Sequence, residues 1–189
     1  MRKLKLQVVM TIDGFIAGPN NEMDWMVENW DDNLKDYIRD LTEPVDCIIL
    51  GRKLAEGFIP YWTAAFNTPN GPEEGSTKMV ETPKAVFTKT LTKSEWDNTI
   101  IANGDLVDQI TKLKNQDGGD IIVYGGAGFV SALIKHKLID ELHLLINPTA
   151  IGSGMPIFKE LDGTQNLNLI KAIPFECGIA VLYYKLKSK

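Results

Sequence analysis

The sequence predicts an α/β fold of three layers, with a central, mostly parallel sheet between helices and an antiparallel edge at its C-terminal end. Three observations carry that expectation. Apolar strand-like runs alternate with helical patterns through the middle of the chain, and strand patterns alone fill its last part. The run Ile121-Ile122-Val123-Tyr124 ends in Gly125-Gly126-Ala127-Gly128 and opens a helical pattern. A buried parallel strand turns into its crossover helix in this way.

Leu4 to Met10 reads as the first strand, alternating charged and apolar residues; Asp13-Gly14 is a turn and Phe15-Ile16-Ala17 a short return. A helix is expected over Asp31 to Leu41, because Leu34, Tyr37, Ile38 and Leu41 fall at i, i+3, i+4 and i+7. Asp31 and Asp32 supply its N-cap and first-turn charge. Pro44 ends it, and Val45 to Leu50 is a buried strand that stops at Gly51. A short helix from Arg52 to about Ile59 should follow, then a long polar excursion from Pro60 to Pro83, of the kind that is functional or mobile in a compact domain.

Lys84 to Thr88 and Thr99 to Ala102 read as strands. Asp105 caps a helix with Leu106, Ile110 and Leu113 on one face, and Gly118-Gly119 closes it. Asp120 to Tyr124 is the next strand, and its helix runs through Val130, Leu133 and Ile134. Glu141 to Asn147 is a strand ended by Pro148, and Gly152-Ser153-Gly154 marks a loop. Asn166 to Ile173 and Ile179 to Lys187 alternate as a terminal antiparallel hairpin.

Composition narrows the function. At 189 residues the chain suits one domain over 1–189, able to bury roughly 70% of its unfolded surface. A net charge of −5 without a long lysine or arginine cluster argues against nucleic acid as a partner. Cys47 and Cys177 stand alone without metal-type spacing and read as reduced thiols. His136 and His143 lack metal-like companions and read as structural, so no metal is expected. No run approaches the ~18 apolar residues of a membrane span, and the first ten residues do not form a signal peptide. A cytoplasmic location is therefore expected.

The glycine turn suggests chemistry. Consecutive glycines allow φ > 0 and close approach of backbone to ligand, and the N-terminus of the following helix favours an anion such as a dinucleotide pyrophosphate. Gly126 to Ser131 nearly fits the dinucleotide fingerprint, with Ser131 in place of its third small residue. The acid that would grip a free ribose falls instead in the apolar run Leu144 to Ile146. A turn that binds nothing is the alternative.

Four segments, in order, carry a resemblance: Met10-Thr11-Ile12-Asp13-Gly14-Phe15-Ile16-Ala17, Ile48-Ile49-Leu50-Gly51-Arg52-Lys53, Val123 to Gly128, and Leu138 to Leu144 followed by Pro148, Gly152 and Gly154. The chain resembles the dihydrofolate-reductase-like superfamily, and within it the reductases related to the C-terminal domain of the bifunctional riboflavin-biosynthesis deaminase-reductase. The resemblance implies a homodimer that uses NADPH to transfer hydride to a small heterocycle. It places cofactor pyrophosphate on Gly125, Gly126, Ala127 and Gly128, cofactor phosphate near Gly51 and Arg52, and the adenosine 2′-phosphate near Thr88 and Lys89. No His-x-Glu with Pro-Cys-x-x-Cys signature occurs, so the deaminase step is not expected.

The nearest activity implied is reduction of 5-amino-6-(5-phosphoribosylamino)uracil. Dihydrofolate reduction and nucleotide binding without chemistry are the alternatives, and no second basic cluster stands out to hold a phosphoribosyl group. A proton donor with a raised pKa is expected at Asp31 or Asp32, which begin the helix that carries the acid in dihydrofolate reductases. Asp13 borders the nicotinamide side in the superfamily and is a third candidate. Trp30, Tyr61, Trp62 and Phe66 would serve as a stacking surface for a flat substrate, or as packing.

Overall fold

Eight strands and five helices follow one another in a computed structural model that describes residues 1–187; residues 188–189 of the expected domain lie outside it. The strands are β1 (Leu4–Thr11), β2 (Val45–Gly51), β3 (Lys84–Phe87), β4 (Thr99–Ala102), β5 (Asp120–Val123), β6 (Glu141–Asn147), β7 (Leu167–Pro174) and β8 (Ala180–Leu186). The helices are α1 (Asp32–Thr42), α2 (Arg52–Phe66), α3 (Ser76–Glu81), α4 (Leu106–Lys114) and α5 (Ala127–Lys135). All strands join one sheet in the order β4-β3-β2-β5-β1-β6-β8-β7, parallel from β4 to β6 and antiparallel through β8 and β7. The expected α/β sheet with an antiparallel C-terminal edge is what forms.

Alternation sorts the strand side chains between two faces. Leu4, Leu6, Val8 and Met10 of β1 pack with Ile121, Val123, Leu142 and Leu144 beneath Ile110 of α4 and Val130, Leu133 and Ile134 of α5. On the other face α2 and α3 cover β2 and β3 through Ala55, Ile59 and Met79. Leu34 of α1 packs there on Leu145 and Val181 of β6 and β8. The β1 and β5 side chains on this second face therefore lie between α1 and α2.

One element departs from the sequence reading. The excursion after Pro60 is not a loop: α2 continues through Pro60 to Phe66, and α3 occupies Ser76–Glu81. Proline at mid-helix removes one N–H and frees the Glu56 carbonyl. Both Glu56 and Pro60 are exposed, so water can meet that carbonyl and the helix continues. No helix among the described residues is long and apolar enough to cross a membrane.

The polar face of β6 is satisfied largely by lysines. Buried Glu141 pairs with Lys3 at 3.0 Å and Lys185 at 3.4 Å. Burial pulls its pKa up, but Lys3 above all, with Tyr183 and Lys185, holds it at about 2. His143 is pushed down to about 4, chiefly by burial against the opposing pull of Glu141, and its Nδ1 lies 2.6 Å from the Tyr37 hydroxyl. His143 is thus a neutral core residue, in agreement with its structural reading.

Candidate active site

Two helix N-termini meet at the C-terminal edge of the parallel strands. After β2 the chain leaves toward β3, and after β5 it leaves toward β6, although β2 and β5 are neighbours. Such a divergence opens a crevice between adjacent strand ends, where open α/β sheets bind ligands. Helix α2 starts on one side of the sheet and α5 on the other. Both enter the crevice at their N-termini.

The local sequence leaves those two ends open. Asp31 caps α1 and Asp105 caps α4 through side-chain bonds to the backbone of Leu34 and Asp108. The N-caps of α2 and α5 are Gly51 and Gly126; neither supplies a side-chain bond, and neither helix has an acid in its first turn. Their free N–H groups and dipole ends can therefore receive an anion.

Each glycine has its own physical reason. Gly125 and Gly126 have φ of +150° and +79°, conformations costly for residues with a Cβ. A Cβ on Gly51 would stand 3.0 Å from that of Phe129, so glycine lets α5 close down on the end of β2. Phe129 in turn packs on Phe87, ring centroids 5.0 Å apart. Gly128 is exposed, and a Cβ built there meets nothing within 4 Å. No contact within the protein requires glycine at Gly128, and the open space over the α5 N-terminus is a cradle that fits a phosphate chain.

The structure brings Thr88 and Lys89 to the same edge, because Phe87 pairs in register with Gly51 and the next residues emerge beside Arg52. Arg52 makes an i,i+4 ion pair with Glu56 on the outer side of α2. The Thr88 hydroxyl accepts from the backbone N–H of Thr90 at 3.1 Å and of Leu91 at 3.3 Å, shaping its own turn. Lys89 is exposed and has no ion-pair partner among the described residues.

The carboxylates are placed differently from the expectation. Asp31 accepts 2.9 Å bonds from the backbone N–H groups of Leu34 and Cys177, joining α1 to the turn between β7 and β8. Those bonds, Cys177 first, hold its pKa below the ordinary carboxylate value, the reverse of what a proton donor needs. The Asp32 side chain is 98% exposed, with Lys35 at 3.8 Å. Asp13 accepts from the backbone N–H of Gly152 at 2.7 Å and of Ile151 at 3.1 Å, and so ties the loop after β1 to the loop after β6. Its pKa is lowered by the Thr11 hydroxyl and these N–H groups. Both tied carboxylates position backbone, and the expected raised pKa is absent.

The aromatic residues also divide. Trp30 packs under α1 with Val9 and donates its indole N–H to the Val27 carbonyl at 2.9 Å. Trp62 packs on Phe58 of α2, and Tyr61 points out at 64% exposure. Trp30 thus stands apart from Tyr61 and Trp62, whose rings meet edge to face at 5.2 Å. The sequence reading passed over Tyr124, which stacks on Phe58 at 5.5 Å just before the glycines, and Gln7, buried on β1. A polar amide among inward-facing strand residues was the available signal.

The sheet order, the edge crevice and the glycine turn together define a dihydrofolate-reductase-like α/β fold. The chain belongs to the RibD C-terminal domain family, which matches residues 2–181. It is 32% identical to the uncharacterized protein YyaP of Bacillus subtilis (strain 168) over 185 residues, covering 97% of this chain and 94% of that one. Among solved structures it is similar to a Thermotoga maritima diaminohydroxyphosphoribosylaminopyrimidine deaminase/5-amino-6-(5-phosphoribosylamino)uracil reductase, with TM-score 0.71 and 16% identity. That match covers 98% of this chain and 57% of the other. It is also similar to dihydrofolate reductase from Enterococcus faecalis complexed with NADP(H), with TM-score 0.64 and 16% identity, covering 98% and 97% of the two chains.

Proposed function

We propose that the protein is an NADPH-dependent reductase that transfers hydride to a small heterocyclic substrate, similar in reaction to 5-amino-6-(5-phosphoribosylamino)uracil reductase. The observation that carries this reading is the pair of uncapped N-termini, α2 and α5, facing one crevice, with the open cradle at Gly128 in the first turn of α5. Gly125, Gly126, Ala127 and Gly128 would hold the pyrophosphate with Gly51. Arg52, Thr88 and Lys89 would hold the 2′-phosphate. When bound, NADPH supplies the hydride. Family membership and the neighbours' printed activities support the reading.

Steady-state NADPH oxidation against uracil derivatives, pterins and quinones tests it. Turnover of none of them would favour nucleotide binding without chemistry, a reading favoured by the lowered pKa of Asp31. Turnover of dihydrofolate alone would favour the other enzyme.

NADPH should bind about tenfold to a hundredfold more tightly than NADH. A charge-assisted contact is worth about 1.5 to 3 kcal/mol, and Arg52 must give up Glu56 to make one. Equal calorimetric affinities would remove this assignment.

Proton delivery is proposed to run through water, with Asp13, Asp31 and Asp32 as the carboxylates tested. Asp31→Asn should lower Tm, because one amide oxygen replaces a charge that accepts two backbone bonds, while turnover falls less than tenfold. Asp32→Asn should leave both unchanged. A loss of about 10²-fold or more in turnover with Tm preserved, in either variant, would restore that residue as the general acid.

The protein is further proposed to act as a homodimer. Edge strand β7 exposes Leu169 and Ile170 at 54% and 45%, an apolar edge that natural sheets usually cover. Light scattering at micromolar concentration should report twice the 21.0 kDa chain mass; a monomer alone would exclude it.

A further inference from the structure

The strip of sheet left between α1 and α2 carries two polar side chains that the cofactor site does not use. Strand β1 pairs with β5 as Leu4↔Ile121, Lys5↔Ile122 and Leu6↔Val123. Gln7 and Tyr124 follow directly after the last of these pairs, and alternation puts both on the face covered by α1 and α2. Gln7 is 8% exposed, and its Oε1 is buried without a hydrogen-bond partner among the described residues. A buried, unpaired carbonyl of this kind costs free energy and calls for a donor.

Tyr124 is partly buried, and its ring is fixed by stacking on Phe58 at an interplanar angle of 21°. Burial alone perturbs its hydroxyl and pushes the pKa up, so the phenol stays a neutral donor. Next to it, Gly125 and Gly126 turn into the cofactor crevice, and Leu54 of α2 packs against both. Tyr124 therefore lies one residue before the glycines proposed to hold the cofactor pyrophosphate.

The neighbours do not complete the pair. Lys5, one step down the same face, is spent on Asp120 at 2.8 Å and the Leu41 carbonyl at 3.1 Å. His143, in register with Gln7 on β6, places Nδ1 2.6 Å from the Tyr37 hydroxyl, while its Nε2 is buried without a hydrogen-bond partner among the described residues, 3.7 Å from Glu141. Gln7 Oε1 and the Tyr124 hydroxyl thus offer an acceptor and a donor on one face of the sheet, with no net charge. Their complement is a donor beside an acceptor on an uncharged planar ring, the O=C–N–H edge of a cyclic amide.

We propose that Gln7 and Tyr124 are specificity-determining residues that read the ring-amide edge of the substrate on the strip between α1 and α2. The inference rests on the reductase reading for the cofactor that the ring would face.

Calorimetry with 5,6-diaminouracil and its 1,3-dimethyl derivative, with and without saturating NADPH, tests it. The two rings share their carbonyls, but the methylated one has lost both ring N–H donors. The unmethylated ring should bind about tenfold more tightly, as expected when a buried acceptor loses its donor. Gln7→Leu should bring the ratio within about twofold, and Tyr124→Phe, which removes one hydroxyl, should weaken both rings.

Equal binding of the two rings, binding of neither, or a ratio that survives Gln7→Leu would overturn the proposal. Variants that change only Tm would mark the pair as an internal water site and overturn it equally. NADPH titrations of the same samples score the reductase reading separately: lost cofactor binding with ring discrimination intact fails that reading alone.

Discussion

Gly126→Val should cost at least a hundredfold in NADPH affinity while the protein still folds. With φ at +79°, Gly126 occupies backbone space that a β-branched residue enters only under strain, on the order of 1–3 kcal/mol. Space inside the protein is not the obstacle: a Cβ there finds Leu54 at 3.7 Å and Phe129 at 3.8 Å, both ordinary contacts. The strain should lower Tm by several degrees, given about 2–4 °C per kcal/mol for a domain of this size. The larger effect falls on the ligand, because the branched side chain stands where backbone must approach phosphate. Unchanged calorimetric affinity would mean that the glycine turn serves only the fold.

Gly128→Ala should separate stability from binding, with opposite signs. Gly128 lies in the first turn of α5 with nothing near its missing Cβ, so alanine gains helix propensity and loses unfolded-state entropy without a clash. The expected gain is about 0.4–1 kcal/mol, read as a rise of about 1–4 °C in Tm without ligand. The added methyl fills the cradle, so NADPH affinity should fall by about tenfold or more, and the thermal shift on adding NADPH should shrink correspondingly. A variant that is both more stable and equally able to bind would place the phosphate elsewhere.

The two glycines show which parts of the site could be read in the sequence. Positive φ and close approach are properties of a few adjacent residues, so Gly125 and Gly126 announce themselves after a β-like run. The N-cap roles of Asp31 and Asp105 are equally local, and both form as the spacing predicts. The aromatic residues around α2 were not readable in this way. Trp30 lies in the segment before α1 and Trp62 on α2, and they enter different cores, a division that depends on which strands each helix covers.

The chain alone determined the order and type of most elements, the parallel sheet with its antiparallel edge, and the glycine turn, because hydrophobic period and backbone permissiveness are encoded within a few residues. Tertiary structure decided the rest. Helix α2 passes Pro60 because the freed carbonyl faces solvent, which depends on how the helix is docked. Asp31 clamps α1 to the turn between β7 and β8 because Cys177, 146 positions away, delivers a second backbone N–H to it. Strand order set β2 beside β5 and so aimed two uncapped helix ends into one crevice, and strand register paired Leu6 with Val123, so that Gln7 and Tyr124 follow the same ladder. Contacts between residues so far apart in the chain follow from the packing of whole layers, and local sequence does not encode them.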